Sequence, residues 1–398
     1  MPLLLVLGVL FALLSSLGGF LLLSYLFLTQ RGAPRLTPIK KTRDNLPLVS
    51  LIVTAKNEGK AIERCLRSIL SQTYPNLEIL VVDDSSTDNT IDVVTQVAKD
   101  YGRIRLIEAG QKPEGWIGKS WPCWRGYESS KGGLLLFFDA DSFFEKIECV
   151  QESVEYVLDE GIDIFSLTPR VITKGIWSNS TIPIFSAAID ILYPMEQVND
   201  PKSSRAYVYG TYVLVRREAY EKIDGHRAVR ELIVEDAALA RRAKASGLKL
   251  RVKQAPNYFA TEWEEERKAI YSGMERVMSS SIRAYGLSSI LDAIFVFFVA
   301  LYPLLFILFG LVLDYHLLHT SQVFQIGFIA SVLDVVFMLL IVSNELKKVV
   351  GRIGLLPLLY PLGIVLFISA IVTTSIKVSR GDAAIEWKGV KYSQATSN

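Results

Sequence analysis

The chain has 398 residues, 43 basic and 41 acidic side chains, and a formal net charge of +2, a balance that leaves no electrostatic footprint for nucleic acid. Three well-separated cysteines, Cys65, Cys123 and Cys149, are odd in number and lack metal-ligand spacing, which excludes a disulfide framework and fits a reducing cytosolic compartment. A mean hydropathy of +0.30 is high for a soluble enzyme and points to membrane segments.

Residues 3–28 carry no charge and are long enough to span a bilayer. A cleaved signal peptide fits less well, because no basic residue precedes the run and the run is too long. Arg31, Arg35, Lys40, Lys41 and Arg43 follow before any acid, so the positive-inside rule places this side in the cytosol. With Pro34 and Pro38 in it, 29–47 reads as a basic linker.

From residue 48 the pattern alternates between strand and helix. Strands are predicted at 48–55, 77–82, 104–107 and 134–138. A helix at 60–71 is marked by Ile62, Leu66, Ile69 and Leu70 at helical spacing. Asp88 is placed to cap another that runs to about Lys99. Such alternation predicts an α/β fold with a parallel, doubly wound sheet, here over 48–262. Further on, 145–158 reads as a helix, 163–168 as a strand, 171–205 as irregular, 207–216 as a strand through Gly210-Thr211, and 230–246 as a helix stopped by Gly247.

Between 263 and 286, Ile270, Met274, Val277, Met278, Ile282 and Tyr285 share one helical face. Such a helix suits the membrane interface, and equally suits packing on the rest of the protein. Three more stretches within 287–380 (287–313, 322–343 and 353–376) are long enough to span, and a short tail, 381–398, follows. Asp292 and Asp334 lie in the first two, and neither is assigned to chemistry. An outside start, four spans and a cytosolic catalytic domain put Lys347, Lys348 and Arg352 inside, as expected. The same count leaves Lys377, Arg380, Lys388 and Lys391 outside, against the rule, which a re-entrant or interfacial stretch would reconcile.

The run 134–138 is apolar on both faces and ends in Asp139-Ala140-Asp141. Two carboxylates one residue apart at the end of a buried strand can share a hard divalent cation, Mg²⁺ or Mn²⁺, while an ordinary Asp-Ser turn is the plainer alternative. Acids also follow the first strand (Glu58) and the second (Asp83, Asp84). In a parallel sheet these strand ends converge on one crevice.

As a set, in this order, the motifs from about 49 to 252 resemble the GT-A glycosyltransferases of family 2. The resemblance implies a Rossmann-like GT-A domain flanked by transmembrane helices. It implies that Glu58 and Asp84 hold the nucleoside, with Asp83 beside them, and that Asp139 and Asp141 bind the metal and sugar-diphosphate. It makes Asp236 of Glu235-Asp236 the general base. On residue type alone that pair equally suits the first turn of a helix. Gly118-Lys119-Ser120 is similar to the end of a P-loop, but Pro113 stands where that motif needs its first glycine. Members that glycosylate lipids or carotenoids have a similar Gly-Trp-x-Gly-Lys segment, which implies that Lys119 meets the donor. Trp116 and Trp121 suit sugar stacking and core packing equally. Gly210-Thr211 resembles the acceptor-side pair of the family, or a strand bulge. His226 is expected in a surface turn.

The Gln-x-x-Arg-Trp of processive polysaccharide synthases is missing, with Trp263-Glu264-Glu265-Glu266-Arg267 in its place. The tail Glu386-Trp387-Lys388-Gly389-Val390-Lys391-Tyr392 resembles the ending of carotenoid glucosyltransferase-like members, with Val390 where they carry Arg. The resemblance therefore implies a membrane-anchored, inverting enzyme that moves one sugar from a UDP-linked donor to a lipid or carotenoid-like acceptor. A polysaccharide synthase or a non-catalytic membrane scaffold is the alternative.

Overall fold

Residues 49–55, 77–83 and 134–139 are mostly apolar and become strands that need cover on both faces, while 104–108, with Arg105 and Glu108, becomes an edge strand. In a computed structural model describing all residues but 1, 39–42, 44, 264, 286–287, 314–320, 381–383, 388–389 and 394–398, they form β1 (Val49–Ala55), β2 (Leu77–Asp83), β3 (Ile104–Glu108) and β4 (Leu134–Asp139). With β6 (Ile164–Thr168), β8 (Tyr212–Arg216) and β9 (Leu250–Gln254) they build a seven-stranded sheet in the order β3-β2-β1-β4-β8-β6-β9. Its pairings are parallel except at β8, which runs antiparallel to both β4 and β6. A smaller sheet pairs β10 (Phe259–Glu262) antiparallel to β5 (Ser142–Phe144) and parallel to β7 (Arg170–Ile172).

Side-chain alternation divides the core in two. Leu51, Val53, Val81, Leu136 and Phe138 pack with Cys65, Leu66 and Ile69 of the Ile62–Leu70 helix and with Val150 and Val154 of the Cys149–Asp159 helix. Ile52, Leu80, Val82, Leu135 and Phe137 face the other way, onto Cys123, Tyr220, Ala238 and Leu239. Each fully buried Val, Leu or Ile on these strands contributes about 1.5–3 kcal/mol by its removal from water.

Two compact units are formed. One comprises 33–172, 193–262 and 386–398 and contains both sheets. The other comprises 1–32, 173–192 and 263–385. Among the described residues of the second, four helices are long and apolar enough to cross a membrane: Leu3–Arg31, Ala293–Val312, Gln322–Val349 and Leu356–Ser379. Leu4, Leu14, Leu28 and Val312 on them are exposed, as lipid-facing side chains would be. The 287–313 stretch is interrupted: one helix ends at Ala300 and the next starts at Tyr302, with Pro303 in its first turn, where a missing N–H costs least. Asp334 is buried and accepts the Ser15 hydroxyl at 2.6 Å.

Three local expectations change. The irregular segment 171–205 contains an 18-residue helix, Gly175–Leu192. Its pattern is obscured by Pro183 and by a run of polar residues, Ser178 to Thr181, whose side chains bond back to carbonyls of the preceding turn. The strand expected over 207–216 begins only at Tyr212, because Tyr209 gives its N–H to Ser166 Oγ and its carbonyl to the Tyr212 N–H, turning Gly210-Thr211 out of the ladder. Part of the linker is also ordered: Leu36 and Gln254 pair at 3.1 Å along the edge of β9.

The helix Arg267–Tyr285 turns Ile270, Met274 and Ile282 onto Ala370 and Ile371 of the Tyr360–Ser379 helix. That is the packing an ordinary amphipathic helix makes.

Candidate active site

Register fixes which strand ends meet. Ala55 pairs with Asp83 and Thr54 with Asp139, so the turns after β1, β2 and β4 open on one edge of the sheet. Because β8 is antiparallel and Phe138 pairs with Tyr212, the residues that precede β8 reach this edge from the other direction. Gly210 and Thr211 therefore stand beside Asp139 despite the separation in sequence.

The turns themselves are tightly built. Asn57 and Ser85 adopt left-handed backbone, with φ of 56° and 60°. Asn57 Oδ1 accepts the Thr87 N–H at 2.8 Å, and Asp88 accepts N–H groups from Gly59 and Thr90, each at 3.0 Å. Asp88 thus serves the start of the Thr90–Tyr101 helix from one residue outside the cap. Glu58 lies in this turn, its N–H held by Thr90 Oγ1. Asp83 and Asp84 are buried. Asp83 accepts the Ser86 N–H, and its Oδ1 has no partner. Asp84 Oδ2 lies 2.9 Å from Lys112 Nζ and 3.7 Å from Lys56 Nζ.

Lys119 stands at the centre. It precedes the Ser120–Ser129 helix. Its ammonium lies 3.1 Å from Asp139 Oδ1, 3.4 Å from Glu235 Oε1 and 3.4 Å from the Gly210 carbonyl. Burial disfavours the charge, but Asp139 and then Glu235 outweigh it and hold the lysine pKa well above its ordinary value. Glu235 and Asp236 open the Glu235–Ala245 helix. Desolvation pushes the Glu235 carboxyl up to about 7, with Lys119 opposing and Asp236 reinforcing the shift. Asp236 is raised too, by desolvation first, with Lys119 opposing. At Asp236, burial outweighs the helix-terminus field and leaves the carboxyl above its ordinary range. A Cβ on Gly210 would come within 2.7 Å of Asp236 Oδ2 and 3.1 Å of Lys119 Nζ, so any larger residue would displace these two side chains.

The structure thus brings Lys119, Asp139, Gly210, Glu235 and Asp236 around one crevice, which Thr54, Cys123 and His226 also line. Asp141 lies one turn on, with Thr261 Oγ1 of β10 bonding its Oδ1 at 3.2 Å. Thr211 keeps its hydroxyl buried and unpaired.

His226 departs from the expected surface turn. It is buried, its Nδ1 2.7 Å from the Tyr220 hydroxyl, and desolvation lowers its pKa to about 3, so the ring is neutral. Gly225 permits this, because a Cβ there would fall 2.1 Å from the Tyr220 ring. Trp116 and Trp121 pack edge to face at 5.0 Å, and Trp121 donates to the Ala109 carbonyl. Residue type alone does not reveal Lys56, Lys112, Thr261 or His226 as neighbours of the site. Each arrives from a loop or strand whose partner is distant in sequence.

Among the described residues, no three His, Cys, Asp or Glu side chains could hold a metal by themselves. The residue types nonetheless suit a hard cation that completes its shell with diphosphate and water oxygens: Asp139 lines the crevice, and Asp141, two residues on, adds a second carboxylate.

Residues 50–224 match the family model described as Glycosyl transferase family 2. Over 348 residues the chain is 25% identical to a 4,4'-diaponeurosporenoate glycosyltransferase of Staphylococcus aureus (strain bovine RF122 / ET3-1), covering 87% of this chain and 88% of that protein. The protein of the same name from strain USA300 is 26% identical over 356 residues, 88% and 89% of the two chains. In fold, the chain is similar to a mannosyltransferase from Pyrobaculum calidifontis solved with GDP-Man and Mn²⁺, with a TM-score of 0.54 at 16% identity over 93% of this chain and 98% of that one.

Proposed function

We propose that this chain, whose residues 50–224 match the Glycosyl transferase family 2 model and whose fold is similar to a GT-A mannosyltransferase, is a glycosyltransferase that moves a single sugar from a UDP-linked donor to a hydrophobic, carotenoid-like or other lipid acceptor, with inversion at the anomeric carbon. The observation that carries the reading is the gathering of Lys119, Asp139, Glu235 and Asp236 at one strand-end crevice. In this reading Glu58 and Asp84, with Asp83 beside them, hold the nucleoside. Lys119 meets the donor diphosphate. Asp139 and Asp141 would hold Mg²⁺ or Mn²⁺, which when bound offsets the charge of the leaving diphosphate. With an acceptor hydroxyl, Asp236 takes its proton as the oxygen bonds to the anomeric carbon and the carbon–diphosphate oxygen bond breaks. Its raised pKa favours this role, since a base poised nearer neutrality accepts the proton more readily. Gly210 and Thr211 border the acceptor side, where Glu235 supports the base.

The likeness to enzymes named for 4,4'-diaponeurosporenoate supports a hydrophobic acceptor. Such an acceptor concentrates in the bilayer that the four long apolar helices suit. The test is to incubate the purified full chain with labelled UDP- and GDP-sugars, Mn²⁺ and total membrane lipid including carotenoids. A labelled lipid formed from a UDP-sugar is expected. Transfer from GDP-sugars only would overturn the donor, and a growing glycan would overturn single transfer.

A further inference from the structure

We propose that Lys112 is a positioning residue that ties the Gly115–Lys119 segment to Asp84, so that the nucleoside end of the crevice and the lysine at its reacting end are set together. Lys112 lies outside every recognisable motif. Its ammonium nevertheless donates to two groups that matter: Asp84 Oδ2 at 2.9 Å and the Gly118 carbonyl at 2.8 Å. The side chain is largely buried, at 18% exposure, and Asp84 at 4%. Hydrogen bonds from a charged donor in such a setting are stronger than those at the surface.

Gly118 is the hinge of the segment. Its φ is +59° and it immediately precedes Lys119, so the direction in which Lys119 leaves the backbone depends on how the Gly118 peptide is oriented. Lys112 holds that peptide by its carbonyl. On its other side the same segment is held by the Ile117 N–H, which donates to the Arg230 carbonyl at 2.8 Å, a few residues before Glu235. The segment is therefore a strap with three moorings: Asp84 through Lys112, the loop before the base helix through Ile117, and the crevice through Lys119. A nucleoside held by Asp84 would bear on Lys119 through this strap, without touching it.

This coupling rests on the donor reading above, and two measurements separate them. The first needs no ligand: hydrogen exchange of the full chain in nanodiscs. Lys112→Met should speed exchange of the amides over 115–119 while the sheet amides keep their rates. Unchanged rates over 115–119 would overturn the tether, whatever the donor. The second is calorimetric binding of UDP with Mn²⁺ to four proteins: wild type, Lys112→Met, Lys119→Met and the double variant. Removing one charged hydrogen bond should weaken binding about tenfold or more. If Lys112 acts through Lys119, the double variant loses clearly less than the product of the single losses. Losses that multiply would overturn the coupling. Wild type failing to bind UDP would fault the donor reading, leaving the tether to the exchange result. Lys112→Arg, which keeps the charge, should restore most of the binding, and should Lys112→Met not fold, Lys112→Gln, which removes the ammonium but keeps a polar stem, carries the same exchange and binding comparison.

Discussion

Asp236 is the residue on which the proposed chemistry turns. Asn in its place keeps its size and most of its hydrogen bonding but cannot accept a proton. Asp236→Asn should therefore lower kcat by about 10²- to 10⁴-fold. Donor affinity should stay nearly unchanged, because the nucleotide is assigned to Glu58, Asp84 and the aspartate pair. Paired kinetics and calorimetry check this; weak donor binding with normal kcat would move Asp236 to the donor site. The pH dependence has a definite sign. Desolvation raises the Asp236 pKa, and the ionised form is the working base, so activity should rise with pH through a limb above the ordinary aspartate range. A kcat profile flat down to the ordinary carboxylate pKa would contradict it.

At the scale of elements, two close approaches decide the geometry. The turn into β8 brings the Gly210 backbone against Asp236 and Lys119, with no room for a Cβ. Gly210→Ala should push these side chains apart. Displacements of about 1 Å near reacting groups cost roughly 10²-fold, so kcat should fall by that order with little change in thermal stability. In the helical unit, Gly363 of the Tyr360–Ser379 helix presses on the Gly175–Leu192 helix, where a Cβ would meet the Ser180 carbonyl at 1.9 Å. The obstacle is backbone and cannot rotate away. Gly363→Ala should destabilise the chain by about 1–3 kcal/mol or more, read as a lowered midpoint in detergent.

For the whole molecule, the arrangement of basic residues is the strongest guide to orientation. Arg31, Arg35, Lys40, Lys41 and Arg43 follow the first apolar helix before any acid, and on that ground we propose, by the positive-inside rule, that 48–262 faces the cytosol. Protease added outside intact cells should leave this region uncut, and should cut it once the membrane is permeabilised. Cleavage in intact cells would invert the orientation.

Local pattern was enough for much of this protein. Uninterrupted apolar runs declared the buried strands, because a strand covered on both faces has no polar side to alternate. The acids at 83, 84, 139 and 141 were legible for a related reason: charge at the end of such a run marks where the strand ends. Uncharged stretches of span length declared the long helices through composition alone. Other features had no local signal. The helix at 175–192 is buried on several faces and holds Pro183, so neither period nor propensity marks it. The reversal of β8 depends on which strand edge it finds, and that reversal alone delivers Gly210 to Asp139 and Asp236. Burial of His226 rests on the Tyr220 ring lying over Gly225. Lys112 reaches Asp84 through a loop whose path only packing defines. Sequence by itself settled the apolar strands and the span-length helices, because those follow from the period and length of apolar runs. Tertiary structure alone decided which side chains face each other across the crevice and which carboxyls are raised, because contact and desolvation depend on neighbours far away in the chain.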